Sequence, residues 1–177
     1  AIEEAEFAAD LGLRLIITDH HECKEVLPRA YAIVNPRRLD SAYPFRELAG
    51  VGVAFKLICA LEAQRPVEEL LEEYGDIVAV GTIADVMPLV GENRCIVTQG
   101  LQLLAHTKNP GLRALVTTLG LDGKPVTSNT VSFVMAPRIN AAGRMGGAAL
   151  AARMFLTDSL EEATELAQKL CDLNRTR

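Results

Sequence analysis

The chain contains no tryptophan, and aromatic residues make up only 5% of its 177 positions. Proteins that stack successive nucleobases do so on a row of aromatic side chains, so an extended stacking platform is not expected. No apolar run reaches the roughly 20 residues that a membrane-spanning helix needs. No basic segment followed by an apolar one marks a signal peptide. The 49% of hydrophobic residues instead predicts a globular domain with a buried core.

Cysteine is scarce, and its spacing carries no metal or disulfide pattern. The four thiols, Cys23, Cys59, Cys95 and Cys171, include no Cys-x-x-Cys pair, which argues against a zinc knuckle. Reduced structural thiols are typical of the cytoplasm, where we expect this protein to reside.

An excess of positive charge is also missing. Lysine and arginine number 18 against 23 aspartate and glutamate residues, which gives a net charge of −5. This balance argues against binding nucleic acid with the whole surface, but it leaves room for a local basic groove or an acidic metal site.

The order of apolar patterns predicts an α/β fold, with a parallel sheet flanked by helices and a helix-rich C-terminal half. A helix with a buried face over 2–11, capped by Gly12, leads into a buried strand over 13–18, and a second strand follows at 32–35. Neither chain end carries a stop signal, so we expect a fragment of a longer protein. Further helices are predicted at 51–64, 67–84, 94–105, 111–119, 128–135 (ending before Pro137), 148–156, and from 160 onward, where Ser159 and Glu162 form a capping box.

The first candidate site is Asp19-His20-His21, directly after the apolar strand. Ligands of open α/β sheets bind beyond the carboxyl ends of the strands. One imidazole there can bind a divalent metal, the second can face a phosphate, and the carboxylate can hold a ring N–H. A polar loop that caps the next helix is the structural alternative.

The second candidate is Asp85, in the segment Gly-Thr-Ile-Ala-Asp-Val-Met-Pro-Leu over 81–89. The helix dipole disfavours a carboxylate at a helix C-terminus, and a bound metal ion would compensate for it. An ordinary polar residue at a helix end remains the alternative.

The third candidate is Ala-Pro-Arg-Ile-Asn-Ala-Ala-Gly-Arg over 136–144. Proline, glycine and small residues bring a backbone close to a ligand, and arginine forks pair with phosphate oxygens. A Gly-Gly pair at 146–147 then opens a helix whose N–H groups can face an anion. A surface loop with solvated arginines explains the segment equally well.

Together these segments resemble the DHH phosphoesterase superfamily. The segment Ile-Ile-Thr-Asp-His-His over 16–21 is similar to its signature triplet, and 81–89 is similar to its later aspartate motif. The segment 136–144 and the closing Leu-Asn-Arg-Thr-Arg resemble the RecJ family, whose members are bacterial 5′→3′ exonucleases specific for single-stranded DNA.

The resemblance implies a metal-dependent phosphodiesterase that uses two Mn²⁺ or Mg²⁺ ions in DNA repair and recombination. It makes His20 and Asp85 ligands of the same ion, which requires the two side chains to meet. It makes His21 a contact of the scissile phosphate that helps the leaving group, with Asp19 behind the histidines. Single-stranded DNA is the implied partner, together with other repair proteins.

For the DNA, the resemblance implies phosphate contacts from 136–144: Arg138, Asn140, Gly143 and Arg144. Any stacking has to come from few residues, such as Tyr43, Phe45 and Phe133, or from regions outside the chain. Residues 1–157 would be the C-terminal part of a DHH domain, and 158–177 would begin a connecting helix. Because the family's first aspartate motifs are not in the chain, we expect these 177 residues alone to be inactive or nearly so.

Two other functions remain open at this stage. A pyrophosphatase, or a phosphodiesterase for oligonucleotides or cyclic dinucleotides, would share the triplet at 19–21 but would not need the segment 136–144. A non-catalytic interaction module is the second alternative, although the retained histidines and Asp85 argue for chemistry.

Overall fold

The computed structural model describes residues 2–144 and 148–176, with the side chain of Arg144 left out. Two short strands and nine α-helices make up the described part of the chain, and one π-helical turn, Val131–Met135, joins α6 to α7. The elements are α1 (Ile2–Asp10), β1 (Ile16–Thr18), β2 (Ala32–Val34), α2 (Gly50–Leu61), α3 (Val67–Ala84), α4 (Gly91–Leu104), α5 (Pro110–Thr118), α6 (Ser128–Thr130), α7 (Ala136–Arg144), α8 (Ala148–Leu156) and α9 (Leu160–Arg175).

The predicted parallel sheet is confirmed, although its strands are shorter than predicted. β1 pairs with β2 in parallel, with Ile17 opposite Ile33. The predicted burial is wrong, because Ile16 is 57% exposed and, in α1, Phe7 is 66% exposed. Only Ala5 of α1 is buried. A strand is buried on both faces only when helices cover both, and α2 is the main helix that packs on β1 among the described residues.

Residues 67–144 and 148–175 form what we call the helical body, which holds the main hydrophobic core. α3 and α4 pack so closely at Gly100 that a Cβ there would collide with the backbone of Gly75. Glycine therefore serves close packing here, although it lowers helix propensity. Among the described residues, no helix is both long and apolar enough to cross a bilayer. The largest fully buried side chains of this core are Leu104, Leu112, Leu115, Met135, Met154 and Leu170.

Residues 11–49 form what we call the strand region, and it contributes little to any core. Its buried residues are Asn35, Pro36, Leu48 and Ala49. Polar contacts between side chains and backbone hold most of it in place, as described below. The two parts of the molecule are therefore stabilised by different kinds of interaction.

The segment 128–144 departs from the sequence prediction. The sequence predicted a helix over 128–135 that ends before Pro137, and a surface loop was one of the two interpretations of 136–144. In the structure, Thr127 is the N-cap, and its hydroxyl accepts a hydrogen bond from the Thr130 N–H. The helix continues through Pro137 to Arg144. A proline ring normally collides with the carbonyl four residues earlier, and the wider π-helical turn over 131–135 relieves that collision.

α8 and α9 agree with their predicted ranges, while the Gly146-Gly147 pair lies outside the described residues. The Ser159 hydroxyl accepts a hydrogen bond from the Glu162 N–H, as a cap should. The Glu162 carboxylate does not return to the cap and instead accepts from Thr157. α9 packs against α5, α7 and α8. The predicted domain boundary at 157/158 stays a prediction.

Candidate functional site

The triplet Asp19-His20-His21 lies where β1 ends. The Asp19 N–H still donates to the Val34 carbonyl at 3.0 Å, as the next step of the parallel ladder. The chain then turns, and Asp19 Oδ1 accepts from the backbone N–H groups of His20 at 2.7 Å and His21 at 3.2 Å. One carboxylate oxygen thus shapes the turn that presents both imidazoles.

The same oxygen of Asp19 lies 2.7 Å from Nδ1 of His21. Partial burial pushes the pKa of Asp19 upward, but the hydrogen bonds from the His21 ring and from the two backbone N–H groups outweigh it. The pKa of Asp19 therefore lies below its ordinary value, and the carboxylate is charged at neutral pH. A charged carboxylate fixes the orientation of the His21 ring and leaves Nε2 facing outward.

His20 occupies the more enclosed position. Its side chain is 16% exposed, against 76% for His21. The start of α2 lies directly against the ring, because a Cβ placed at Gly50 would be in van der Waals contact with Cδ2 of His20, at 3.4 Å. The two imidazole centroids are 4.3 Å apart. His20 is thereby packed between α2, the second ring and the end of α3.

Asp85 follows the last residue of α3, and its Oδ2 lies 3.4 Å from Nε2 of His20. The backbone beyond it forms a Schellman turn, in which Val86 N–H donates to Ile83 and Met87 N–H donates to Thr82. Val86 occupies the position that glycine usually takes, with φ of 57°. A β-branched residue in the left-handed region is strained, and such strain is concentrated at functional sites.

Asn35 connects the end of β2 to the triplet. Its side chain is buried, and Nδ2 donates to the His21 carbonyl at 2.9 Å and to Cys23 Sγ at 3.2 Å. Its Oδ1 accepts from the Arg37 N–H at 2.8 Å. Sequence analysis gave Asn35 no role, and its only signal was an amide between a strand and Pro36.

Arg37 fixes the same loops through charge. Its guanidinium pairs with Glu22, directly after the triplet, at 2.5 Å and with Glu47 at 2.7 Å. Nε donates to the Arg46 carbonyl. The arginine is therefore committed to protein partners, and it orders the loop that carries the histidines.

The donor set around His20 is suitable for a divalent cation. An imidazole nitrogen and a carboxylate oxygen are ligands that Mn²⁺ accepts, and Mg²⁺ accepts the carboxylate. Two donors bound at right angles, each about 2.1 Å from an ion, lie about 3 Å apart. The 3.4 Å between His20 Nε2 and Asp85 Oδ2 is close to that spacing. Asp19, His20 and His21 also bring possible ligand atoms within 4.8 Å of one another.

The residues of the third motif are divided between different environments. Arg138 faces the protein, where Nη1 donates to the Val134 carbonyl at 2.7 Å. Burial raises the pKa of the neighbouring Cys171 thiol, and the positive charge of Arg138 opposes that rise without cancelling it. Asn140 and Gly143 are exposed, and, among the described residues, a Cβ placed at Gly143 would meet no atom from another part of the chain within 4 Å. The side chain of Arg144 lies outside the described residues.

A groove of about 230 Å³ joins the second motif to the third. It begins at the end of α3, beside Asp85, and reaches Asn140 on α7. No sequence pattern indicated this groove, because its walls come from helices far apart in the chain. Its lining residues are Ile83, Ala84, Val86, Ser132, Ala136, Pro137 and Asn140.

Comparisons with known proteins agree with the motifs. Residues 1–82 match the family model "DHH family, N-terminal domain". The chain is 47% identical to the single-stranded-DNA-specific exonuclease RecJ of Bacillus subtilis over all of its length and 22% of the relative's. It is 39% identical to RecJ of Escherichia coli, over 97% of the chain and 32% of that relative. The chain therefore spans between a fifth and a third of the length of these curated relatives.

Two solved structures share the fold. Exonuclease RecJ bound to manganese superposes with a TM-score of 0.85 at 39% identity, over 99% of this chain and 44% of that one. RecJ from Thermus thermophilus in complex with Mn²⁺ gives a TM-score of 0.86 at 38% identity, over 99% of this chain and 26% of that one.

Proposed function

We propose that this chain, which belongs to the DHH phosphoesterase superfamily, is part of a metal-dependent exonuclease that hydrolyses single-stranded DNA from the 5′ end. The observation that carries the proposal is the 3.4 Å approach of His20 Nε2 to Asp85 Oδ2. An imidazole on the strand region and a carboxylate on the helical body meet there, with donor chemistry that suits a divalent cation. The names of the relatives support the choice of substrate.

His20 and Asp85 would hold Mn²⁺ or Mg²⁺, the ions present in the related structures. When bound, such ions supply Lewis acidity to phosphate oxygens and to water. The carboxylate at the end of α3 also benefits, because a cation compensates for the unfavourable helix dipole there. Gly50 and Asn35 would act through the histidines, by keeping the loop after β1 in place.

His21 would contact the scissile phosphate through Nε2, since Nδ1 is held by Asp19 at 2.7 Å. In the protonated ring both nitrogens donate, so Nε2 can hydrogen-bond a phosphate oxygen and pass a proton to the leaving oxygen. The carboxylate of Asp19 accepts from Nδ1 and keeps Nε2 turned toward the phosphate. Asp19 therefore orients the acid and does not itself contact the DNA.

The strand would continue along the groove toward α7. Asn140, Gly143 and Arg144 are proposed to contact its phosphates, Gly143 through its exposed backbone. Arg138 is proposed to support α7 from inside and to contact DNA only if it leaves Val134. Residues 158–177 would begin the connection to a further domain.

The biological setting belongs to the same proposal. An enzyme that degrades single strands from a 5′ end serves DNA repair and recombination, in the cytoplasm of a bacterium, beside other repair proteins. These repair proteins are proposed as a class of partner.

The test uses the protein as the cell makes it, with a 5′-phosphorylated oligothymidylate and Mn²⁺. His20→Ala and Asp85→Asn should each lower kcat at least a thousandfold and weaken Mn²⁺ binding in a calorimetric titration. His21→Ala should lower kcat strongly but leave Mn²⁺ binding within a few fold. The matched controls are His106→Ala and Asp122→Asn, which change an exposed histidine and an exposed aspartate of the helical body.

The outcome that overturns the proposal is retention of Mn²⁺ affinity in both ligand variants. A wild type that cleaves short dinucleotides or pyrophosphate but not oligothymidylate would instead favour another phosphodiesterase of the superfamily.

A further inference from the structure

Two exposed apolar side chains belong to the segments that form the groove beside Asp85: Val86 lines the groove, and Phe133 follows the lining residue Ser132 in the chain. Val86 is 87% exposed and Phe133 is 75% exposed. Scattered exposed apolar residues are common and need no explanation. These two are different because they belong to the two helical segments, the end of α3 and the π-helical turn, that face each other across one groove.

The groove contains no charged side chain among its lining residues. A phosphate placed among these lining residues would lose water without gaining a cationic side chain as a partner. Its walls are formed mainly by Ile83, Ala84, Ala136 and Pro137, with the polar groups of Ser132 and Asn140. Such a surface suits the uncharged parts of a nucleotide, which are the sugar and the base.

The size of the groove is compatible with that occupant. A buried cavity of about 150 Å³ accepts benzene, and the groove measures about 230 Å³. A base in a duplex is paired and stacked, so only an unpaired base can enter the groove.

Phe133 is presented by a well-anchored turn. The residues two before and two after it, Val131 and Met135, are fully buried in the main core. Ser132, directly before Phe133, and Pro137, four residues after it, both line the groove. The exposed ring therefore belongs to a segment that is fixed by packed neighbours beside the groove, and little backbone entropy is lost when a flat ligand contacts it.

We propose that Phe133, with Val86 opposite, forms the subsite for the unpaired base next to the scissile phosphate. This inference rests on the proposed function and names the part of the substrate that the groove receives. Stacking on an aromatic face tolerates every base, so the subsite would select single strands without selecting a sequence.

The experiment is a double-mutant cycle between the side chain and the base, in the protein as the cell makes it. The probe is a 5′-phosphorylated oligothymidylate with phosphorothioate linkages and a 3′ fluorophore, and binding is followed by anisotropy with Mn²⁺. A second set of probes carries an abasic site at the first or the second nucleotide. Phe133→Ala should weaken binding of the intact probe about 5- to 100-fold, the range found when a stacking aromatic is removed.

The cycle separates stacking from a structural effect. At one of the two abasic positions, the affinity of the wild type for the probe should fall by a factor similar to that caused by Phe133→Ala. The affinity of Phe133→Ala should not fall further when the same base is removed. Phe133→Trp should keep most of the affinity. Phe7→Ala, which removes an exposed ring from α1, should bind all probes like the wild type, and thermal unfolding should show every variant folded.

Additive effects of Phe133→Ala and the abasic site would overturn the subsite while leaving the proposed function intact. A fall in thermal stability with Phe133→Ala and no change in binding would show that the ring packs against protein, and would also overturn it. A wild type that neither binds nor cleaves the oligothymidylate would overturn the proposed function, and the subsite with it.

Discussion

The strand region and the helical body are stabilised by different interactions, and the candidate site lies where the two regions meet. In the helical body, apolar side chains such as Leu112 and Leu170 are completely buried. In the strand region, amide and guanidinium groups such as Asn35 and Arg37 provide most of the fixed contacts. His20 belongs to the strand region and Asp85 to the helical body, so the distance between them depends on the junction of the two.

Polar contacts also form that junction. Tyr43 Oη donates to Glu92 at 2.7 Å, and Lys56 Nζ pairs with the same carboxylate at 2.9 Å. The buried Asn93 donates to the Glu47 carbonyl and to Pro88. A site assembled across such a junction can be weakened without unfolding the body, and this separability is what the following variants test.

The largest expected effect is in the core of the body. Leu112→Ala removes a fully buried side chain and should lower the free energy of unfolding by about 3–5 kcal/mol. Ile16→Ala, at a strand position that is 57% exposed, should cost less than about 1 kcal/mol. Urea denaturation measures both, and equal losses would contradict the difference between the two regions.

Asn35→Ala should have the next largest effect, and a local one. It leaves the His21 carbonyl and the Arg37 N–H without their partners, at a cost of about 2 kcal/mol. Hydrogen exchange should quicken in β1, β2 and the triplet while the core amides of α5 and α9 keep their protection. The exposed Asn129→Ala serves as the control. Equal acceleration in both regions would show that they unfold as one unit.

Glu92→Gln tests the junction through pH. Burial pushes the pKa of Glu92 upward, but the hydrogen bonds from Lys56 and Tyr43 outweigh it and bring the pKa below 4.5. The contribution of the charged Glu92 to the free energy of unfolding is therefore complete above pH 4.5. It is lost as the pH falls through the lower pKa that Glu92 has in the folded protein. At pH 7 the variant should be less stable by about 1 kcal/mol.

The difference between the wild type and Glu92→Gln should shrink below pH 4.5, as thermal unfolding at a series of pH values would show. Glu165→Gln, which changes an exposed glutamate in the middle of α9, should give a small and nearly constant difference. A constant gap for Glu92→Gln as well would mean that the junction carboxylate is not held in its charged form.

The smallest expected effect has the opposite sign. Val86→Gly removes the strain of a left-handed β-branched residue and loses little packing, since the side chain is 87% exposed. Stability should rise by about 0.5–1 kcal/mol, while KM for oligothymidylate should also rise because one wall of the groove is lost. A drop in stability would show that the turn after Asp85 is relaxed.

The helices could be predicted from the sequence because their signals are local. The ranges 67–84 and 148–156 follow from apolar periodicity and breakers, and the structure has α3 and α8 at those bounds. The same reasoning failed for 136–144, where Pro137 and Gly143 suggested a loop, because the π-helical turn that accommodates the proline has no recognised sequence pattern. The burial of α1 and β1 was also mispredicted, since periodicity shows which face is apolar but not whether anything covers it.

Local patterns in the sequence identified the chemistry: two imidazoles after a strand, a carboxylate at a helix end, and a resemblance to one phosphoesterase family. Three features depend on packing in three dimensions: the 3.4 Å between His20 and Asp85, the inward direction of Arg138, and the groove without charged lining residues beside Asp85. The physical reason is that residue types and helix periodicity act within a few residues of the chain. Distances between α3, α7 and the loop after β1 depend on how the core and the polar junction pack in three dimensions.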